Sequence, residues 1–211
     1  MALILVPSEK PVVKMEDIDQ AMVRAQILLQ KKMPTDPDAH EERFRFFTQA
    51  AMKAPFLSLD KSEADKQTWR DKKMSVKDVL NAVLPTVIIR AVESKLGAIQ
   101  AIMDGSAKIK GFTSFWYSHE EGNKHVVQFC INRIPKWGVS RFEIYFVEIK
   151  ASFSSSAVFG IASTSNFMEA RFCIQHYSAN TVFLLEEMRV KPDQVKDEME
   201  EWDAETKAIC N

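Results

Sequence analysis

Apolar positions recur at helical spacing in the first half of the chain and alternate in the second, with the change near Gly105. Ile18, Met22, Ala25 and Leu29 lie three or four residues apart, with Ala21 and Leu28 beside them, which predicts a helix over 15–33. Acids open this helix (Glu16, Asp17, Asp19) and Lys31 and Lys32 close it, matching the helix dipole, before Pro34 ends it. Thr35-Asp36-Pro37-Asp38 is a start signal for a second helix reaching about Ala54, with Phe44, Phe47 and Ala51 on one face. Residues 56–74 mix Lys61, Lys66, Arg70, Lys72 and Lys73 with acids around a lone Trp69. They read as a short exposed helix or an ordered loop, a candidate partner-binding segment. Ser75-Val76-Lys77-Asp78 is a capping box opening the longest helix, to about Met103, which Pro85 kinks or divides. Leu3–Val6 reads as a short strand.

Beyond Gly105 the runs Lys108–Ser118, Lys124–Ile134, Arg141–Lys150, Phe167–Tyr177 and Thr181–Arg189 read as strands. Glu121-Gly122-Asn123 and Pro135–Gly138 are turns, and short connections favour an antiparallel meander. Lys191-Pro192-Asp193 starts a final acidic helix with Val195, Met199 and Trp202 on one face. The pattern predicts one α+β domain over 1–211. A mainly helical N-terminal layer (1–106) packs on a C-terminal antiparallel β-sheet (107–190), and 191–211 forms the acidic helix. The change near Gly105 is a boundary between layers, not between domains.

Composition narrows the picture. With 211 residues and 46% of them hydrophobic, the chain can build a core without a metal or disulfide staple. The net charge of −1 gives no global nucleic-acid signature, but its distribution is uneven. Residues 191–211 hold seven acids against three lysines, whereas the body before them is slightly positive. Three widely spaced cysteines (130, 173, 210) form no disulfide framework and point to a reducing compartment, cytoplasmic or nuclear. The longest apolar stretch, Val79–Ile89, is interrupted by Asn81 and Pro85, so no transmembrane segment is expected, and the short apolar run Ala2–Val6 is not expected to act as a secretory signal.

The search for chemistry is mostly one of exclusion. The six glycines form neither phosphate-binding pattern. His119-Glu120-Glu121 lacks a second histidine, and Cys173 and His176 would point to opposite faces of a strand, so no metal is assigned. Cys130 with His125 or His176 is a conceivable nucleophile pair if adjacent strands bring them together, and no spacing supports it. No catalytic residue and no cofactor are assigned. Lys108, Lys110, Lys124, Arg133, Lys136 and Arg141 lie among Phe112, Phe115, Trp116, Tyr117 and Trp137, a mixture that binds single-stranded nucleic acid on some sheets. Lys108, Lys110, Lys124, Lys136, Arg141, Trp116 and Trp137 are therefore the candidate nucleic-acid contacts, with Arg43, Arg45 and the 61–77 lysines able to add to them. The competing reading makes the aromatics core and the cations strand-edge charges.

These observations favour a non-catalytic assembly or interaction protein that self-associates as a homo-oligomer and contacts single-stranded nucleic acid, as in a viral or nucleoprotein-type structural role. Val195, Met199 and Trp202 would anchor the acidic helix on a neighbouring copy, or the helix would fold back on its own chain. The alternative is a small-molecule binding domain or enzyme with a pocket between helices and sheet. An inward-pointing His125 or His176 would favour it.

Overall fold

Among the described residues, five strands form one antiparallel sheet with helices on both faces. The structure, a computed structural model, describes residues 14–36, 38–50, 54–86, 88–89, 115–119, 124–136, 138–152 and 164–210. In chain order the described elements are α1 (Met15–Lys31), α2 (His40–Arg45), a π-helical turn (Phe46–Ala50), β1 (Leu57–Ser75), α3 (Val76–Val83), β2 (Phe115–His119), β3 (Lys124–Arg133), β4 (Arg141–Ser152), β5 (Thr164–Ala179), α4 (Thr181–Val190) and α5 (Pro192–Cys210). The strand order is β1-β5-β4-β3-β2. Strands β2 to β5 are thus the expected meander, and the α+β class with helices packed on an antiparallel sheet holds.

The alternation of side chains along each strand divides the core in two. Val127, Phe129, Val147, Ile149, Met168 and Ala170 face α3 and pack with Val76, Val79 and Leu80. Cys130, Ile144, Phe146 and Tyr177 face the other way and pack with Ala21, Met22, Ala25 and Leu29 of α1, with Phe47, and with Leu184 of α4. The ring of Phe47 stacks on that of Phe146 with centroids 4.4 Å apart. Gly138 turns β3 into β4 at φ +76°, where an added Cβ would come within 2.8 Å of the Met15 side chain. Its N–H donates to Asp19 Oδ1 of α1 at 2.7 Å.

The capping box before α3 forms as read. Asp78 N–H donates to Ser75 Oγ, and Ser75 N–H donates to Asp78. The helix stops before Pro85, and the backbone turns again at once, with Ile88 and Ile89 N–H both donating to Pro85 O. The expected continuation to Met103 and the Leu3–Val6 strand lie outside the described residues.

Two expectations are corrected. Residues 57–75 form neither a short helix nor a loop. They form the longest strand of the sheet, paired with β5 along almost its whole length. The cause is the backbone ladder, since most side chains of β1 between its two ends are exposed and polar. Thr181–Val190 is not a strand but helix α4, because Asn180 Oδ1 accepts from Phe183 N–H and caps it.

Candidate functional site

The expected nucleic-acid positions divide between the two ends of the sheet. Lys124 begins β3 opposite Ser152, whereas Arg141 begins β4 and Lys136 lies in the connection before it. The ten residues of β3 separate the two ends by about 30 Å. Trp116 stands in β2 opposite Gln128. Lys108, Lys110 and Trp137, and the side chains of Trp116 and Trp202, lie outside the described residues. Arg43 is no surface contact, because its side chain is fully buried.

That burial belongs to a polar layer under α2. Gln128, Glu148 and Arg171 are direct neighbours across β3, β4 and β5. Arg43 Nε donates to Gln128 Oε1 at 2.6 Å, and its Nη1 donates to the carbonyls of Pro34 and Asp36. Gln128 Nε2 donates to Glu148 at 2.8 Å, and Arg171 Nε donates to the other Glu148 oxygen at 2.8 Å. Arg171 also forks onto Glu41 of α2, and its guanidinium lies 4.2 Å from the Phe44 ring centroid. Burial pushes Arg43 down to about 10, with Asp36 and Glu148 countering, so it stays charged at neutral pH. Burial raises Glu41, but Arg171 and Lys150 outweigh it and hold its carboxyl at about 2. Every group here is spent on another protein group, so the layer fastens α2 to the sheet.

A second cluster, open to solvent, occupies the α3-side face at the Arg141 end of the sheet, beyond the reach of α3. Arg133, Glu143, His176 and Lys61 stand in one row across β3, β4, β5 and β1. Glu143 Oε2 accepts from Tyr145 Oη at 2.7 Å and from Arg133 at 3.0 Å, and its Oε1 lies 3.6 Å from His176 Nδ1. Burial and the adjacent Glu143 push the Tyr145 hydroxyl up to about 12, so it stays protonated. One position further out, Arg141 is directly opposite Ser178, whose hydroxyl donates to Asp60 at 2.7 Å. Asp60, Arg141, Glu143, His176 and Ser178 edge a cleft of about 650 Å³, walled by Pro135 and Val139 of the β3–β4 connection.

The nucleophile pairs weighed from the sequence do not assemble. Cys130 faces α1, while His125 and His176 alternate onto the α3 side. Cys173 likewise faces away from His176. Burial pushes the Cys130 thiol up to about 12. Cys130 and Cys173 flank Phe146 in one row, two strand spacings (about 10 Å) apart, beyond disulfide reach. Among the described residues no group of three or more His, Cys, Asp or Glu could hold a metal ion.

The acidic C-terminal helix folds back on its own chain, onto α1. Arg24 of α1 is buried and pairs with Glu187 of α4 and Glu198 of α5, and Lys31 also meets Glu198. Val195 is buried beside this clamp, and Met199 is half-buried. Both line a hollow of about 450 Å³ with Gln20 and Met188. On α4, Leu184 faces the core, but Val182 and Val190 are 64% and 62% exposed and Phe183 is 39% exposed. They edge a separate hollow of about 490 Å³ with Glu186. Reading 181–189 as a strand hid this face, which the spacing 182, 183, 186, 190 displays once the segment is helical.

No described helix is long and apolar enough to cross a membrane. No protein-family model and no curated protein matches the chain. Among solved structures it is similar to a delta-endotoxin, at 9% identity and a TM-score of 0.44 over 85% of this chain and 86% of that one. It is also similar to the activated Cyt2Ba monomer from Bacillus thuringiensis subsp. israelensis, at 11% identity and a TM-score of 0.43 over 76% of this chain and 93% of that one. Likenesses this distant carry no argument about function.

Proposed function

We propose that the chain is a non-catalytic assembly protein of the cytoplasm or nucleus that self-associates through the outer face of α4. The observation that carries this reading is the exposure of Val182, Phe183 and Val190 on a helix whose inner side is held by Leu184 and by the Glu187–Arg24 pair. The occupant that fits is a second copy of the same helix. Two antiparallel copies about a two-fold axis near Glu186 set Val182 of each against Val190 of the other. The same axis brings the two Glu186 carboxylates near one another, each already neutralised by Arg189 of its own helix. A ten-residue helix is only about 15 Å long, too short alone for a stable interface of about 1,000 Å² or more. Asn180 and Lys191 edge the same hollow as Val182, Phe183 and Val190 and lengthen the surface at the two ends of the helix. Assembly by strand addition at β1 is disfavoured, because that edge carries charges of both signs and two breaks in its register with β5.

The test is light scattering of the wild type beside the pair of variants Phe183→Asp and Val190→Asp. The wild type is expected at twice the chain mass. Each variant is expected to cost about 2 kcal/mol or more, roughly 30-fold in Kd, and so to run as a monomer with unchanged circular dichroism. A wild-type monomer, or variants that still pair, would overturn the reading. A second reading, a small-molecule binding domain, is favoured by the cleft beside Arg141 and His176.

A further inference from the structure

We infer that the cleft at the Arg141 end of the sheet takes a small zwitterion of dipeptide length, its carboxylate on Arg141 and its cationic end on Asp60. This rests on the second reading above, that the chain binds a small molecule. The two charges are placed by separate devices. Asp60 stands at a break in register, where Leu59 faces Tyr177 and Lys61 faces His176, so β1 has one residue more than β5 there. Such a bulge re-aims its side chain, and Asp60 reaches inward to accept from Ser178 Oγ. Arg141 follows the turn that Gly138 makes at positive φ, and it stands opposite Ser178 from the other side.

The two thus flank β5, from β1 and β4, and do not meet. Arg141 makes no ion pair or hydrogen bond with any described residue, although Glu143 lines the same cleft. Glu143 is already engaged by Arg133, Tyr145 and His176. Asp60 accepts from a hydroxyl but pairs with no cation among the described residues. The cleft therefore offers one unmatched cation and one unmatched anion, with Ser178 and His176 between them. A simple anion would satisfy Arg141 and leave Asp60 opposing it.

Distance selects the length. Strands β4 and β1 lie two spacings apart, about 10 Å, and the bond to Ser178 brings the Asp60 carboxylate in over β5. An extended dipeptide spans about 7 Å and bridges that gap, whereas the charges of a single α-amino acid are too close together to touch both groups.

The probes are glycylglycine, its N-acetylated form, its C-terminal amide, glycine and acetate, titrated into the full chain and followed by calorimetry and by the His176 ring resonances. Glycylglycine is expected to bind, and blocking either end is expected to weaken it at least tenfold. Arg141→Gln and Asp60→Asn should each weaken it to the same degree, while Lys136→Gln leaves it unchanged. Arg141 is exposed and supports no packing, so its variant folds normally and separates lost binding from lost structure. Equal binding of acetate, lost with Arg141→Gln, would overturn the zwitterion and keep the binding site. Absence of any response to all five probes would overturn both. Glycylglycine binding that survives both substitutions would overturn the assignment of Arg141 and Asp60.

Discussion

Arg43→Met is expected to lower the unfolding free energy by about 3–5 kcal/mol. The guanidinium is fully buried and donates to Gln128 and to the carbonyls of Pro34 and Asp36. Removing it leaves those acceptors without their donor and takes a cation from the vicinity of the buried Glu148. A buried pair contributes little net stability as a whole, but losing one partner leaves the full desolvation cost of the others. Arg189→Met is the control. Its pair with Glu186 is exposed and one helical turn long, so the change is expected to leave the unfolding midpoint essentially where it is. Urea unfolding followed by circular dichroism measures both. A loss below about 1 kcal/mol for Arg43→Met would mean that the layer under α2 does not fasten the helix.

The second large effect is at the C-terminal clamp. Arg24→Met is expected to cost about 3–5 kcal/mol, because it takes the buried cation shared by Glu187 and Glu198 from both carboxylates. Acid should do part of the same. Burial alone would raise the Glu198 carboxyl, but hydrogen bonds from Lys31, Arg24 and Gln194 outweigh it and hold it at about 2, against 4.5 for a free glutamate. A depressed carboxyl stabilises the fold fully above its unfolded value and loses that contribution as pH falls through its folded one. The window is therefore from about pH 4.5 down to about 2, with up to about 3 kcal/mol at stake. Glu41 titrates in the same window, but its side chain is 48% exposed, so solvent screening makes its share smaller. Urea unfolding at a series of pH values should show the wild type losing stability across this window. Glu198→Gln is expected to start lower at pH 6 and to fall less steeply. Parallel slopes for the two proteins would remove Glu198 from the acid response.

Much of the helical layer was legible because its signals are local. The Ser75–Asp78 box, the run from Ile18 to Leu29 and the stop at Pro85 depend on neighbours in sequence. The meander was legible from alternation in β3, β4 and β5. Strand β1 was not, because its side chains alternate between charges and not between apolar and polar. Its pairing is paid by main-chain bonds to β5, from 89 residues away at Ser75–Thr164 to 122 at Leu57–Ala179. Helix α4 was misread because Val182, Phe183, Leu184 and Leu185 suit a strand by composition. The Asn180 cap was the signal that could have corrected this, with Glu186 and Arg189 one turn apart. The buried arginines had a partial signal. Arg24 falls three residues after Ala21 and four before Leu28, on the apolar side of α1, where a cation needs partners. Which carboxylates supply them is a long-range fact. The cleft was invisible for the same reason. Asp60, Arg141 and Ser178 come from three strands, and only the register brings them together.

The central claim is self-association through α4. The most direct measurement is size-exclusion chromatography with light scattering and the ratio of absorbance at 260 and 280 nm, on the wild type at low and high salt. The expected result is a dimer free of nucleic acid whose mass changes little with salt, since Val182, Phe183 and Val190 carry the contact. Salt-sensitive particles carrying nucleic acid would move the contact to the basic positions at Lys124, Lys136 and Arg141. A monomer at every concentration would contradict the claim and leave the cleft as the functional centre.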